Sequence, residues 1–256
     1  MAVKRSVASF IEPTASTRAP FKKTGSHIFR GRDALGAYIT NPEKYDSSRV
    51  ISYDDNFVIV KDMYPKSSIH LLLLPRNKKF AQMHPFEAFE DTQFLSLVKQ
   101  QVAKVKEIVS KELEKKYGQN FSHNSEPEVY SRDLVDVPEK KEGLPQRLTV
   151  ERNWGNDVIS GIHARPSMSH LHVHILSVDR YSDCLKHRKH YNSFATPFFI
   201  SIEDFPLGKD DIRRYPEREG YLRSDLKCWR CGKEFGNKFP SLKRHLAEEF
   251  EEWKNE

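Results

Sequence analysis

The stretch SMSHLHVHIL, Ser167 to Leu176, places His170, His172 and His174 at every second position, with Leu171, Val173 and Ile175 between them. A β-strand sends successive side chains to opposite faces, so period two puts the three imidazoles on one face and the aliphatics on the other. Read as a helix, the same residues share no face. The stretch is therefore expected to be a strand with an apolar face for a core and a row of histidines on its other side. Three readings of that row are open. It can be a solvated polar face, or a metal site, since imidazole is a common ligand. Three histidines in line do not converge on one ion, however. The third reading is a histidine nucleophile for phosphoryl or nucleotidyl transfer.

Working outward, Asn156 to Ala164 (NDVISGIHA) reads as the preceding strand and Pro197 to Asp204 as a following one. Upstream, Val50–Tyr53 and Phe57–Asp62 read as two strands joined by a tight turn at Asp54-Asp55-Asn56. Ile69 to Arg76 (IHLLLLPR) is a third strand, apolar enough to be buried on both faces. Asp33 to Thr40 predicts a short helix stopped at Asn41-Pro42. A long helix is expected to open at Pro85 and end at Gly118. Its apolar stripe is Phe86, Phe89, Phe94, Leu97, Val98, Val102, Val105, Ile108, Val109 and Leu113. Residues 119–150, polar and charged, read as a surface insertion.

The chain has 256 residues and a formal net charge of +6, which suits one medium domain with a small module and favours polyanionic partners without proving them. No apolar run approaches the roughly 20 residues that span a bilayer. Residues 1–26 carry basic, Ser, Thr and Pro residues without a hydrophobic segment, so no secretory signal is expected. They read as a disordered basic arm. Three cysteines, Cys184, Cys228 and Cys231, are too few for a disulfide framework, and the close pair points to a metal site.

The run His170-Leu171-His172-Val173-His174-Ile175-Leu176 resembles the signature of the histidine triad superfamily at every position. Asp62 and the strand His70-Leu71-Leu72-Leu73-Leu74-Pro75 resemble the family's ribose-binding aspartate and its His-x-Leu strand. Ser167 falls where the family places a phosphate-contacting serine. The resemblance implies that His172 attacks an α-phosphate, because a neutral imidazole brings no negative charge to an anionic phosphorus centre. His174 would donate to a nonbridging oxygen, and His170 would support its neighbours. Something must hold the other nitrogen of His172 protonated, and the sequence does not name it.

Gly161 to His174 (GIHARPSMSHLHVH) looks like the aprataxin version of this site, with an extra histidine nine residues ahead of the nucleophile. By that resemblance His163 is a general acid or charge stabiliser for the departing phosphate, and Lys66 in Asp62 to Ser67 meets phosphate. Leu35, Ile39 and Met63 would box the adenine, and the helix around Leu35 to Tyr38 would wedge against a DNA end. Read alone, His163 is equally a strand-end histidine with a satisfied hydrogen bond. Fewer than about 30 residues precede the catalytic region, below domain size, so the forkhead-associated domain of some aprataxins is not expected here.

At the C-terminal end, Cys228-Trp-Arg-Cys231 is followed by Phe235, Leu242 and His245, as in a C2H2 finger. Glu249 stands where a second histidine is usual. His245 and Glu249 are i, i+4 on a helix, so Cys228, Cys231, His245 and Glu249 can share one zinc ion, with Glu248 as a lesser alternative. A module of ~30 residues needs such a staple to fold. The alternative is an unmetallated helix beside two stray cysteines. Lys227, Arg230, Lys233, Lys238, Lys243 and Arg244 would suit the module to phosphate-backbone contact.

The expected architecture is α+β: a histidine triad fold of antiparallel sheet packed with helices over residues 27–205, a charged linker over 206–226, and a C2HE-type zinc finger over 227–256. The resemblance implies a nuclear DNA-repair hydrolase, a monomer, that removes AMP from 5′-adenylated DNA ends through a covalent AMP–histidine. RNA–DNA junctions and 3′-guanylated ends are further candidate substrates. Zinc is then structural and no metal enters the chemistry. The rivals are a small-molecule nucleotidyl hydrolase or nucleoside phosphoramidase with the same site residues, and a DNA-binding module that has lost catalysis.

Overall fold

The computed structural model describes residues 31–118 and 152–256. The basic arm over 1–26 and the insertion over 119–150 lie outside the described residues. Six antiparallel strands form one sheet in the order β1-β2-β3-β5-β4-β6, with β1 Val50–Tyr53, β2 Phe57–Lys61, β3 His70–Pro75, β4 Val158–His163, β5 Val173–Ser177 and β6 Phe199–Ser201. The β1–β2 turn is closed as expected: Asp54 Oδ1 accepts from the amides of Asn56 and Phe57 at 2.7 and 2.8 Å.

The histidine strand is shorter than its alternation suggests. The ladder begins at Val173, where β5 pairs with β3 and β4, and Ser167–His172 reaches it as irregular chain. The backbone bonds of Ser169 to the Arg32 carbonyl and Leu171 to the Ala81 carbonyl hold that chain in place without a strand partner. The two-sided character survives. Leu171, Val173 and Ile175 are buried in the main core, and His172 and His174 share the other side.

The main core lies between the sheet and α4, Thr92–Tyr117. Val98, Val102, Val105, Val109 and Leu113 recur at helical spacing and are at most 1% exposed. Each such side chain contributes about 1.5–3 kcal/mol when fully buried. The helix expected from Pro85 is in fact two. α3 covers Pro85–Ala88, and after α2 (Lys78–Ala81) and α3 the chain breaks at Phe89–Asp91. The Asp91 carboxylate accepts from the Phe94 amide at 3.0 Å and starts α4 anew, because a capping aspartate competes with helix continuation. Leu97, assigned to the stripe, is 47% exposed, and Leu95 is buried instead.

A second apolar cluster on the opposite sheet face joins α1 (Gly36–Thr40) to Val50, Val58, Val60, Leu72 and Leu74. Beyond β5 comes α5, Arg188–Ala195. The segment read as a linker, 206–226, holds α6 (Pro216–Glu219) and buries Leu207, Tyr221 and Leu226. Its charged side chains face outward while widely spaced apolar ones anchor it, a pattern that composition alone hides. The finger is a hairpin, β7 Leu226–Lys227 and β8 Glu234–Gly236, followed by α7, Phe239–Trp253. Gly232 turns the knuckle with φ 76°, a conformation that favours glycine. Among the described residues no helix is long and apolar enough to cross a membrane.

Candidate active site and metal centre

Three strands converge their side chains on one patch of the sheet. In the β3–β5 register Leu72 faces His174, and in the β4–β5 register Gly161 faces His174. His70, His163, His172 and His174 therefore meet on the face away from α4. His163 and His174 have ring centroids 4.5 Å apart, and His172 and His174 4.9 Å. A Cβ on Gly161 would meet the Ile200 carbonyl oxygen at 2.2 Å, so glycine is what lets β4 pass β6 beside this patch.

The hydrogen bonds fix the tautomers of these rings. His172 Nδ1 donates to the His170 carbonyl at 2.7 Å, which leaves Nε2 with its lone pair free. The acceptor that sequence reasoning lacked is thus the backbone two residues back, while the His170 ring packs beside Gly36. The Lys66 amide donates to His70 Nδ1 at 3.1 Å, so the proton of neutral His70 sits on Nε2. That nitrogen is 2.9 Å from His174 Nδ1 and donates to it. His174 in turn carries its proton on Nε2, which is buried and has no partner among the described residues. A backbone amide is thereby relayed through two rings into a donor aimed at an anionic substrate.

His163 is held differently. The Ser193 backbone carbonyl faces its imidazole, and Nε2 is buried with no partner among the described residues, which leaves Nδ1 as the nitrogen turned to that carbonyl. Burial, then the neighbouring His172 and His70, push its pKa down to about 3. Without substrate this holds His163 neutral, and it can carry a proton once negative charge arrives beside it. Burial likewise lowers His70 to about 4, lowers His172, and takes His174 well below its usual range.

Around this patch, Asp62 Oδ1 accepts from the Tyr64 amide at 2.7 Å and Oδ2 lies 3.6 Å from His70 Nδ1. Asp62, His70 and His174 are close enough to suggest a metal set. The facing nitrogens of the two histidines already share a proton at 2.9 Å, so an ion there would have to break the relay. Lys66 is half-buried, its Nζ bonded to the Tyr64 carbonyl, and burial lowers its pKa. Ser167 is exposed on the loop before His170. Of the three residues expected around the adenine, Met63 is 50% exposed, whereas Leu35 and Ile39 are core side chains packed on Val50 and Val60.

Two groups escaped sequence reasoning. Asp179, 1% exposed, accepts from the Ser68 amide at 2.9 Å and from the Tyr181 amide at 3.1 Å, and so ties the Lys66–His70 loop to the exit of β5. Phe194 on α5 packs edge-on against His70, His163 and His174. A buried acid two residues past an apolar strand was the available signal for the first. Nothing local marks the second.

In the finger, donor atoms of Cys228, Cys231, His245 and Glu249 lie within 4.8 Å of one another. Cys231 Sγ is 3.1 Å from His245 Nε2, which is 2.9 Å from Glu249 Oε1. Edges of a zinc tetrahedron with bonds of 2.0–2.3 Å are about 3.3–3.8 Å, so the set fits with small adjustment. Glu249 is buried and presents its other oxygen to Arg230 at 2.6 Å. Glu248 is exposed and lies 3.6 Å from His245 Nδ1, on the far side of the ring from the cluster. The geometry selects Glu249.

Two family models match the chain. The model of the HIT domain covers residues 43–181, and that of the C2HE / C2H2 / C2HC zinc-binding finger covers 195–252, taking in the segment read as a linker. The aprataxin-like protein of Schizosaccharomyces pombe is 39% identical over 222 residues, 87% of this chain and 82% of the relative. That of Saccharomyces cerevisiae is 36% identical over 221 residues, 86% and 95%. Among solved structures, the crystal structure of aprataxin ortholog Hnt3 in complex with DNA superposes with a TM-score of 0.64 at 33% identity, covering 87% of this chain and 96% of that one.

Proposed function

Because the chain belongs to the aprataxin family of histidine triad proteins, we propose that it is a DNA end-processing hydrolase that removes AMP from 5′-adenylated ends left by abortive ligation. The observation that carries this reading is the free Nε2 of His172, held in its tautomer by the His170 carbonyl. The similar protein solved with DNA supports a nucleic-acid substrate.

In the first step His172 Nε2 attacks the α-phosphorus of the adenylate. The P–N bond forms as the pyrophosphate P–O bond breaks, and the electron pair leaves with the 5′-phosphate of the DNA. His174 Nε2–H donates to a nonbridging oxygen whose charge grows in the transition state. The incoming phosphates raise the proton affinity of His163, and its Nε2 can then hold a proton beside the leaving oxygen. In the second step water attacks phosphorus, the P–N bond breaks, and AMP departs with His172 neutral again. Asp62 holds the ribose hydroxyls, Met63 meets the base, and Lys66 and Ser167 meet phosphate.

Zinc held by Cys228, Cys231, His245 and Glu249 supplies folding energy to the finger and no step of the reaction. The reading makes the protein a nuclear monomer with DNA as its partner and AMP as its product. The test compares turnover of adenylated nicked duplex with that of a small AMP ester at fixed salt, for the wild type and His172→Ala. The duplex should be strongly preferred and the variant inactive on both. Equal efficiency on the two substrates would instead favour a small-molecule nucleotidyl hydrolase.

A further inference from the structure

α5 touches both the histidine cluster and the finger. A helix leaves its last carbonyls without intrahelical partners, and here its own cap residue and two groups from elsewhere in the chain face them. Thr196 Oγ1 donates to the Asn192 carbonyl at 2.6 Å, Arg180 Nη2 to the Phe194 carbonyl at 3.1 Å, and the Ser193 carbonyl faces the His163 imidazole. The Phe194 ring stands edge-on to His163 with centroids 4.6 Å apart. The same helical turn is gripped from the finger side. Tyr191 Oη donates to the Lys227 carbonyl at 2.7 Å and Asn192 Nδ2 to the Ser224 carbonyl at 2.8 Å. Both side chains are 1% exposed, so these bonds satisfy polar groups that water does not reach. Arg180 completes the link, with its guanidinium 5.4 Å from the Trp229 ring centroid of the finger.

We propose that Tyr191 and Asn192 are positioning residues for the reaction: through them the first strand of the finger and the chain just before it set α5, and α5 sets His163. The Ser193 carbonyl does two things for that imidazole. It locks the proton on Nδ1, which keeps Nε2 bare in the site. It also presents the negative end of a helix, which stabilises an imidazolium once substrate phosphates arrive. A displacement of about 1 Å in such a support can cost up to 10²-fold in rate. The finger then serves catalysis even on a substrate too small to reach it. This rests on the reading of His163 as part of the reacting site.

The test uses the full chain with its metal bound and a small AMP ester as substrate. Tyr191→Phe/Asn192→Ala is compared with Asp157→Ala, which removes a polar bond between the finger helix and the main domain away from α5, that of Trp253 Nε1 to Asp157 Oδ1 at 2.8 Å. We expect kcat of the double variant to fall about tenfold at unchanged KM, with Asp157→Ala within about twofold of the wild type. In ¹⁵N NMR the His163 ring should pass from a single Nδ1–H tautomer to a mixture in the double variant alone. Wild-type kcat and tautomer in the double variant would overturn the proposal, as would an equal loss in Asp157→Ala. If the double variant does not fold, Tyr191→Phe, which removes one hydroxyl, carries the same two readouts with a loss of about threefold. A wild-type chain inactive on the ester would count against the proposed activity, and the NMR pattern would then decide the positioning by itself.

Discussion

His172 Nδ1 lies 2.7 Å from the backbone carbonyl of His170, and both residues are buried. The carbonyl fixes the proton on one nitrogen and so commits the other to attack. His172→Ala should lose AMP release from adenylated nicked duplex by on the order of 10³-fold or more, together with any AMP–protein adduct trapped by acid quench. His170→Ala should lose far less, because its carbonyl survives and only the ring against Gly36 is removed. Equal losses in the two variants would mean that the His170 ring enters the chemistry.

The relay from the Lys66 amide through His70 to His174 makes a separate prediction. His70→Phe keeps a ring in the buried site and deletes the donor to His174 Nδ1, now 2.9 Å away. His174 is then free to carry its proton on the wrong nitrogen. We expect kcat to fall about 10²-fold with KM changed little, since the lost interaction strengthens in the transition state. A rise in KM at constant kcat would place His70 in ground-state binding instead.

What was legible in the sequence was the chemistry of alternation. Period two at His170, His172 and His174 assigns the core face correctly even though the ladder starts only at Val173. The cysteine pair and the i, i+4 spacing of His245 and Glu249 likewise specify a compact donor set. What escaped depends on residues far apart in the chain. The partner of His163 is a backbone carbonyl on a helix some thirty residues on, and no side-chain identity encodes it. Tyr191 and Asn192 look like ordinary helix residues until Lys227 and Ser224 face them. The break at Asp91 was encoded locally, but its capping signal sat inside an apolar stripe that read as continuous.

The buried imidazoles also set the acid limit of the fold. Burial, the first cause in each case, pushes His163 down to about 3 and His70 down to about 4 in the folded protein, against about 6.5 unfolded. Between those values the unfolded chain binds more protons than the native one. The contribution of these rings to stability is therefore complete above about pH 6.5 and is lost as pH falls towards 4. Each contributes a slope of about 1.4 kcal/mol per pH unit across its window. Urea unfolding at pH 7.5, 6 and 5 should show this loss, and His163→Gln should flatten it. The finger is identical in both proteins, so the difference in slope belongs to His163. Identical slopes would mean that His163 binds its proton alike in the folded and unfolded chains.

Glu249 divides its two oxygens between the donor cluster and Arg230, at 2.9 Å from His245 Nε2 and 2.6 Å from Arg230 Nη1. The guanidinium orients the carboxylate and leaves Oε1 pointing at the centre of the set. Glu249→Gln keeps the shape but removes the charge, and zinc affinity measured against a chromogenic chelator should fall about 10–100-fold. Arg230→Ala leaves the ligand charged but free to turn, so its loss should be smaller, about tenfold. Glu249→His, one helical turn after His245, should restore binding because imidazole is itself a zinc ligand. The melting temperature in zinc should follow the same order, since metal binding in so small a module is folding energy. Unchanged affinity in Glu249→Gln with a loss in Glu248→Gln would move the fourth ligand to Glu248.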